Sequence, residues 1–157
     1  MTLALTVDPA NRLLWRMNPH RLSFEELRDS MLAVSGQLDL RQGGKPTELF
    51  TPPFPVRRTI YGLVDRQFLP GTLRMFDFAN PDLHIPQRSE TTVPQQSLFL
   101  MNHPLALERA RRLAAAVSAD EPTATALESH RTEDVRRLFR SVFQREPTNE
   151  QLDDALQ

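Results

Sequence analysis

SFEELRDSMLAVSG, residues 23–36, reads as a helix with both ends written into it. Ser23 and Glu26 stand at capping-box spacing, Leu22 and Leu27 at the spacing of a hydrophobic staple, and Gly36 supplies the stop. Phe24, Leu27, Met31 and Val34 recur every three or four residues, which puts them on one face of a 3.6-residue turn and makes them the expected buried stripe. A fully punctuated amphipathic helix near the start sets the expectation for the class: mainly α.

The same signals recur on both sides. Upstream, Asp8 followed by Pro9 reads as an N-cap with proline at the first helical position, opening a short helix through Leu13, Leu14 and Met17. Downstream, Pro70 with Leu73, Met75 and Phe76 predicts one or two turns, ended by Asn80-Pro81. Residues 84–90 read as an extended connection. Thr92 and Gln95 form a second capping box for a helix from Val93 carrying Leu98, Phe99 and Met101. Asn102 before Pro104 reads as the cap of the next helix, with Ala106, Ala110, Leu113 and Val117 as its stripe and Glu108 and Arg112 as an i,i+4 pair. Thr132 is the expected cap of a helix with Val135, Leu138, Phe139, Val142 and Phe143 on one face, and Thr148 with Gln151 marks the last helix start.

Two stretches break the helical pattern. QLDLRQGGKPTELFTPPFPV, residues 37–56, holds Gly43, Gly44 and four prolines, so it reads as a long, partly polyproline-like loop, either a docking strap or a disordered bridge. Thr59, Ile60, Tyr61 and Val64 suit one short strand, or a helix reaching Phe68. The expected fold is an irregular, mainly α domain of five to seven helices with long connections and at most one minor strand or hairpin. It divides into a core at 8–118, a linker at 119–131 with a turn around Leu127, and a C-terminal helical pair at 132–157.

Composition narrows the function. The 157 residues are 39% apolar and 25% charged with a net charge of −1, which is ordinary for one domain and gives no field to gather nucleic acid. With no cysteine, a thiolate metal site, an iron–sulfur cluster and a thiol nucleophile are excluded, and no cofactor is expected. The opening MTLALTVDPANR lacks the basic start and apolar run of a signal peptide, and no segment predicts membrane insertion. There is no GxSxG elbow, and Gly43-Gly44-Lys45 lacks the glycine and hydroxyl that flank a phosphate loop.

NRLLWRMNPHRLSFEELRDSMLAVSGQLD, RRTIYGLVDRQ, FDFANPD and TTVPQQSLFLMN, taken in order over roughly residues 8–150, resemble the planctomycete-specific domain of unknown function that accompanies planctomycete cytochrome c-like domains. The resemblance implies the C-terminal part of that domain, within a larger exported or envelope-associated protein. It transfers no catalytic residue, and no CxxCH is present to carry haem.

Three sets of residues are candidates for chemistry. Arg57, Arg58, Arg66 and Arg88 offer an anion or sulfated-glycan site, with a network to carboxylates such as Asp65 and Glu90 as the structural alternative. Asp77, Asp82 and His84 combine carboxylate and imidazole donors suited to a divalent cation, although Asp82 also suits a turn and Asp77 a pairing with Arg74. The Phe139–Phe143 face or the Leu98–Met101 segment offers an apolar surface for self-association. These residues favour a non-catalytic structural or interaction module whose partner is another protein, the upstream part of the same domain or a second copy. The alternative is part of an enzyme, acting on polysaccharide or coupled to haem, whose site upstream residues complete. Convergence of Arg57, Arg58, Asp65, Asp77, His84 and Arg88 on an open cleft would favour chemistry.

Overall fold

The computed structural model describes residues 2–118 and 127–156. Among these, seven α-helices run in the order α1 (Thr2–Val7), α2 (Phe24–Val34), α3 (Gly71–Met75), α4 (Pro94–Asn102), α5 (Pro104–Val117), α6 (Leu127–Phe143) and α7 (Asn149–Leu156), with a 3₁₀ turn at Thr59–Tyr61. The chain is therefore mainly α, as its capping signals predict. The residues at 58–64 make the 3₁₀ turn instead of a strand; the only extended pairing among the described residues is two isolated parallel bridges, Asp39 with Arg57 and Thr47 with Gly62.

α2 starts as its sequence dictates. Ser23 Oγ accepts from the Glu26 N–H at 3.3 Å while the Glu26 carboxylate accepts from the Ser23 N–H at 2.7 Å, and Gly36 leaves the helix at φ +69°. The buried face differs from the expected stripe. Phe24, Arg28 and Leu32 are buried and Leu27, Met31 and Val34 only half-buried, because a guanidinium occupies the central position of the inward row.

The expected helix from Asp8 does not form. Helix α1 ends where that helix was to begin, and residues 8–20 form a loop stabilised by side chains that compete with helical hydrogen bonding. Asp8 Oδ2 accepts from the Leu13 N–H at 2.7 Å, its carbonyl accepts from Trp15 Nε1 at 2.9 Å, and Asn11 holds both the N–H and the carbonyl of Arg16. Asn11 and Leu14 take φ of +54°, incompatible with a continuing helix.

Other boundaries shift by a residue or more. Phe76 ends α3 and Asp77 turns at φ +58°, before Asn80-Pro81 is reached. At α4, Val93 is the cap position and Gln96 Oε1 accepts from its N–H at 3.4 Å, while Thr92 accepts from Arg21 instead of capping the helix with Gln95. His103, not Asn102, caps α5, its Nδ1 accepting from the Leu105 N–H at 3.2 Å. Helix α5 buries Leu105, Ala106, Arg109 and Val117, leaving Ala110 exposed, and Glu108 pairs with Arg109 at 3.3 Å. Thr132 lies inside α6, which begins at Leu127; of the linker expected at 119–131, residues 127–131 are instead the start of this helix, and 119–126 lie outside the described residues. Thr148 and Gln151 do form the reciprocal cap of α7.

Phe24, Leu73 and Phe99 form the centre of the core, with Phe50, Val64, Phe76 and Phe78 packed on them. The Phe24 ring lies 5.2 Å from Phe76 and 6.2 Å from Phe99, distances at which tilted and edge-on aromatic pairs add to area burial. α2 packs on α5, α5 on α4 and α6, and α6 on α7.

Residues 37–56 are an ordered strap. Leu49 and Phe54 are buried, the Asp39 N–H donates to Val56 O at 2.9 Å, and Thr47 exchanges hydrogen bonds with Tyr61 O and the Leu63 N–H at 2.9 and 2.8 Å. The expectation of a loop holds, and its backbone is bonded to the 3₁₀ region and its flanks instead of forming a free bridge. It lies between α2 and the 3₁₀ turn in sequence and is pinned to both.

Candidate functional site

Two buried arginines hold the strap in place. Arg28 on α2 is 1% exposed and donates to the carbonyls of Pro55 and Arg57 and to Thr59 Oγ1, the last two at 3.0 and 3.1 Å. Arg109 on α5, 3% exposed, donates to Phe54 O at 3.2 Å and to Gln37 Oε1. Backbone carbonyls without a ladder partner are costly to bury, and a guanidinium with five donors can satisfy several at once. Burial pulls the Arg28 pKa down to about 10; nearby Asp29 raises it and Arg109 lowers it further, so the group stays charged at neutral pH. Its Nε alone among buried side-chain nitrogens and oxygens of the described residues has no partner.

Behind this clamp, α2, the strap and the 3₁₀ turn enclose an open groove of about 770 Å³. Leu49 and Leu73, both buried, lie at its base; Leu22, Leu40 and Ile60, all exposed, stand at its margin. Its charged lining is Glu25, Glu26 and Asp29 against Arg58, three carboxylates to one guanidinium. Asp29 is fixed by the Thr59 N–H and Oγ1, both at 2.7 Å, and by Arg58 at 3.3 Å. Hydrogen bonds from Ser23 hold the Glu26 carboxyl below its usual range. The volume lies within the range of ligand-binding pockets, and the lining is dominated by aliphatic side chains.

The four central arginines do not share a site. Arg57 stacks over the Tyr61 ring at 4.2 Å and donates to the carbonyls of Gly43 and Lys45. Arg58 lines the groove; Arg66 donates to Pro81 O at 3.0 Å; Arg88 pairs with Glu25 at 2.9 Å and lies over Phe78 at 4.7 Å. Asp65 accepts from the Gln67 N–H and closes a local turn.

Asp77 accepts from the Thr91 N–H and Oγ1, both at 2.8 Å, rather than pairing with Arg74. Asp82 lies 3.9 Å from Arg66 in the turn begun by Asn80, and His84 is exposed. Among the described residues no group of three or more His, Asp or Glu side chains comes together as a metal site requires. None of the described helices is long and apolar enough to cross a membrane.

Arg28 and Arg109 are the residues that sequence patterns miss. Their signal is a charge within an apolar row: Arg28 falls four residues from both Phe24 and Leu32, and Arg109 four from both Leu105 and Leu113. His103 is a third. Its ring stacks on Phe99 at 4.4 Å with the Phe50 and Phe54 rings 6.5 and 6.1 Å away, and burial lowers its pKa.

The family model described as PSD1, protein of unknown function (DUF1553), matches residues 2–157. No curated protein and no solved structure matches the chain.

Proposed function

The chain belongs to the PSD1 family of proteins of unknown function, and from its own surface we propose that it is a non-catalytic interaction module that docks protein in the groove between α2 and the strap. The observation that carries this reading is the apolar groove, whose strap wall is clamped from behind by Arg28 and Arg109. A wall held by buried charge-assisted hydrogen bonds presents Leu40 and Ile60 in fixed positions, which lowers the ordering cost of binding. The four candidate arginines support the same reading, since Arg57, Arg58, Arg66 and Arg88 are each engaged locally with a carboxylate, a carbonyl or a ring instead of converging on a reacting centre. Of the four candidate arginines, Arg58 is the one that we place at the docking surface.

The resemblance to a planctomycete domain accompanying cytochrome c-like domains supports a larger exported or envelope-associated parent, in which such a module would organise its neighbours. These 157 residues contain no cysteine, so a thiol introduced among them can be followed on its own peptide. A single Ile60→Cys is introduced into the parent polypeptide and its alkylation rate is compared with that of Ala115→Cys on the exposed side of α5. The expected result is slower alkylation of Ile60→Cys by about tenfold or more, reversed when Leu40→Glu is added. Equal rates at the two positions would overturn the docking reading.

A further inference from the structure

Residues 84–90 form a loop that the body of the protein holds at one point. Its flanks are fastened: Arg66 donates to Pro81 O at 3.0 Å on one side, and on the other Asp77 accepts from the Thr91 N–H and Oγ1, both at 2.8 Å. From His84 to Glu90, among the described residues, the hydrogen bonds to the rest of the chain are those of Arg88 alone. Leu83 and Ile85 are 64% and 38% exposed, so burial adds little anchoring. Arg88 meets Glu25 through both ends of its fork, at 3.0 and 2.9 Å, and its guanidinium lies over the Phe78 ring at 4.7 Å.

Glu25 and Phe78 both line the groove, whereas Arg88 lines a second cavity of about 120 Å³ together with Ser89, Glu90, Arg21 and Gln96. Leu22 and Glu26 line both. The two spaces are thus neighbours, and the Arg88 guanidinium, seated on a carboxylate and a ring of the groove wall, stands at their boundary. We propose that residues 84–90 are a lid, that Arg88 is its latch, and that unlatching joins the second cavity to the groove. A bidentate, partly exposed pair with one cation–π contact favours the latched form by about tenfold, enough to keep the lid shut and little enough to let it open. The lid changes the length of the groove whatever occupies it, so its test and the alkylation test of docking fail independently.

Spin labels report the lid directly in the 157-residue chain, which has no cysteine of its own. With Gln87→Cys on the loop and Ala115→Cys on α5, both exposed positions, double electron–electron resonance should give one narrow main distance. Arg88→Ala, or Glu25→Gln with side-chain size kept, should broaden it and raise the displaced population about fivefold, and salt at roughly 1 M should act in the same direction. A control pair, Ser30→Cys on α2 with Ala115→Cys, should stay narrow throughout. Nile red, an uncharged apolar dye, should bind the cysteine-free Glu25→Gln chain more tightly than the unaltered one by about threefold or more, because the joined space is open in a larger share of molecules. A Gln87 distance that is already broad without either substitution, one that is indifferent to both, or a broadening of both label pairs together would overturn the latch. Dye affinity that does not rise would overturn the joining of the two spaces.

Discussion

Arg28 and Arg109, on different helices, grip one stretch of chain: Arg28 takes the carbonyls of Pro55 and Arg57, and Arg109 that of Phe54. Two like charges are thus buried close enough for Arg109 to depress the pKa of Arg28. Their mutual repulsion is outweighed by the carbonyls that they satisfy and by the partial neutralisation from Asp29 and Glu108 at 4.0 and 3.3 Å. Without the pair, the strap has no regular secondary structure to hold it.

Arg28→Ala should destabilise the fold by about 3–5 kcal/mol, since it opens a cavity and strands two carbonyls and Thr59. Arg28→Lys should recover only part of this, because a point charge on a flexible stem cannot reproduce the planar fork. Urea denaturation of both variants checks the order. A loss below about 1 kcal/mol for Arg28→Ala would place the clamp among surface-strength interactions.

Gly62 is required for steric reasons, not for its dihedral freedom. A Cβ there would lie 2.5–2.9 Å from three side-chain atoms of Leu49, which is buried at the groove base. Gly62→Ala should cost roughly 1–3 kcal/mol by overpacking, and Leu49→Val should recover part of that cost. A double-mutant cycle measures the coupling.

His103 makes stability depend on pH. Burial holds its folded-state pKa below the ordinary 6.5, so between that lowered value and 6.5 the unfolded chain binds a proton that the folded chain does not. Its stabilisation is therefore complete above about pH 6.5 and is lost as the pH falls through that window. Protonation also removes the Nδ1 acceptor that caps α5 and places a cation at a helix N-terminus. His103→Asn, which keeps a capping acceptor, should flatten the dependence of melting temperature on pH between 5 and 7 relative to wild type.

Zinc, manganese and calcium should leave the melting temperature unchanged, because Asp77 is committed to Thr91 and no three-ligand cluster exists among the described residues. A rise that saturates with metal concentration would return Asp77, Asp82 and His84 to consideration as ligands.

Helix identity was legible wherever a local signal and an apolar period agreed, as at Ser23–Gly36 and Thr148–Gln151. It failed at Asp8-Pro9, where the capping residue was right in type but its carboxylate bonds Leu13 across a loop, a choice made by tertiary fit of Asn11 and Trp15. The cap of α5 moved to His103 because an imidazole nitrogen can accept like an asparagine oxygen, which residue preference ranks low. The clamp was hidden because patterning assigns arginine to the outside. Its partners, Phe54 to Thr59, lie 26 or more residues from Arg28 and 50 or more from Arg109, beyond any local rule. The groove was invisible for the same reason, being assembled from α2, the strap and the 3₁₀ turn.

The strap is a braced wall, and amide hydrogen exchange tests that most directly. The N–H groups of Asp39, Thr47 and Leu63, bonded to Val56, Tyr61 and Thr47 carbonyls, should exchange as slowly as those in the middle of α2, and faster in Arg28→Lys. Exchange at the rate of an open loop in the wild type, with α2 protected, would contradict it.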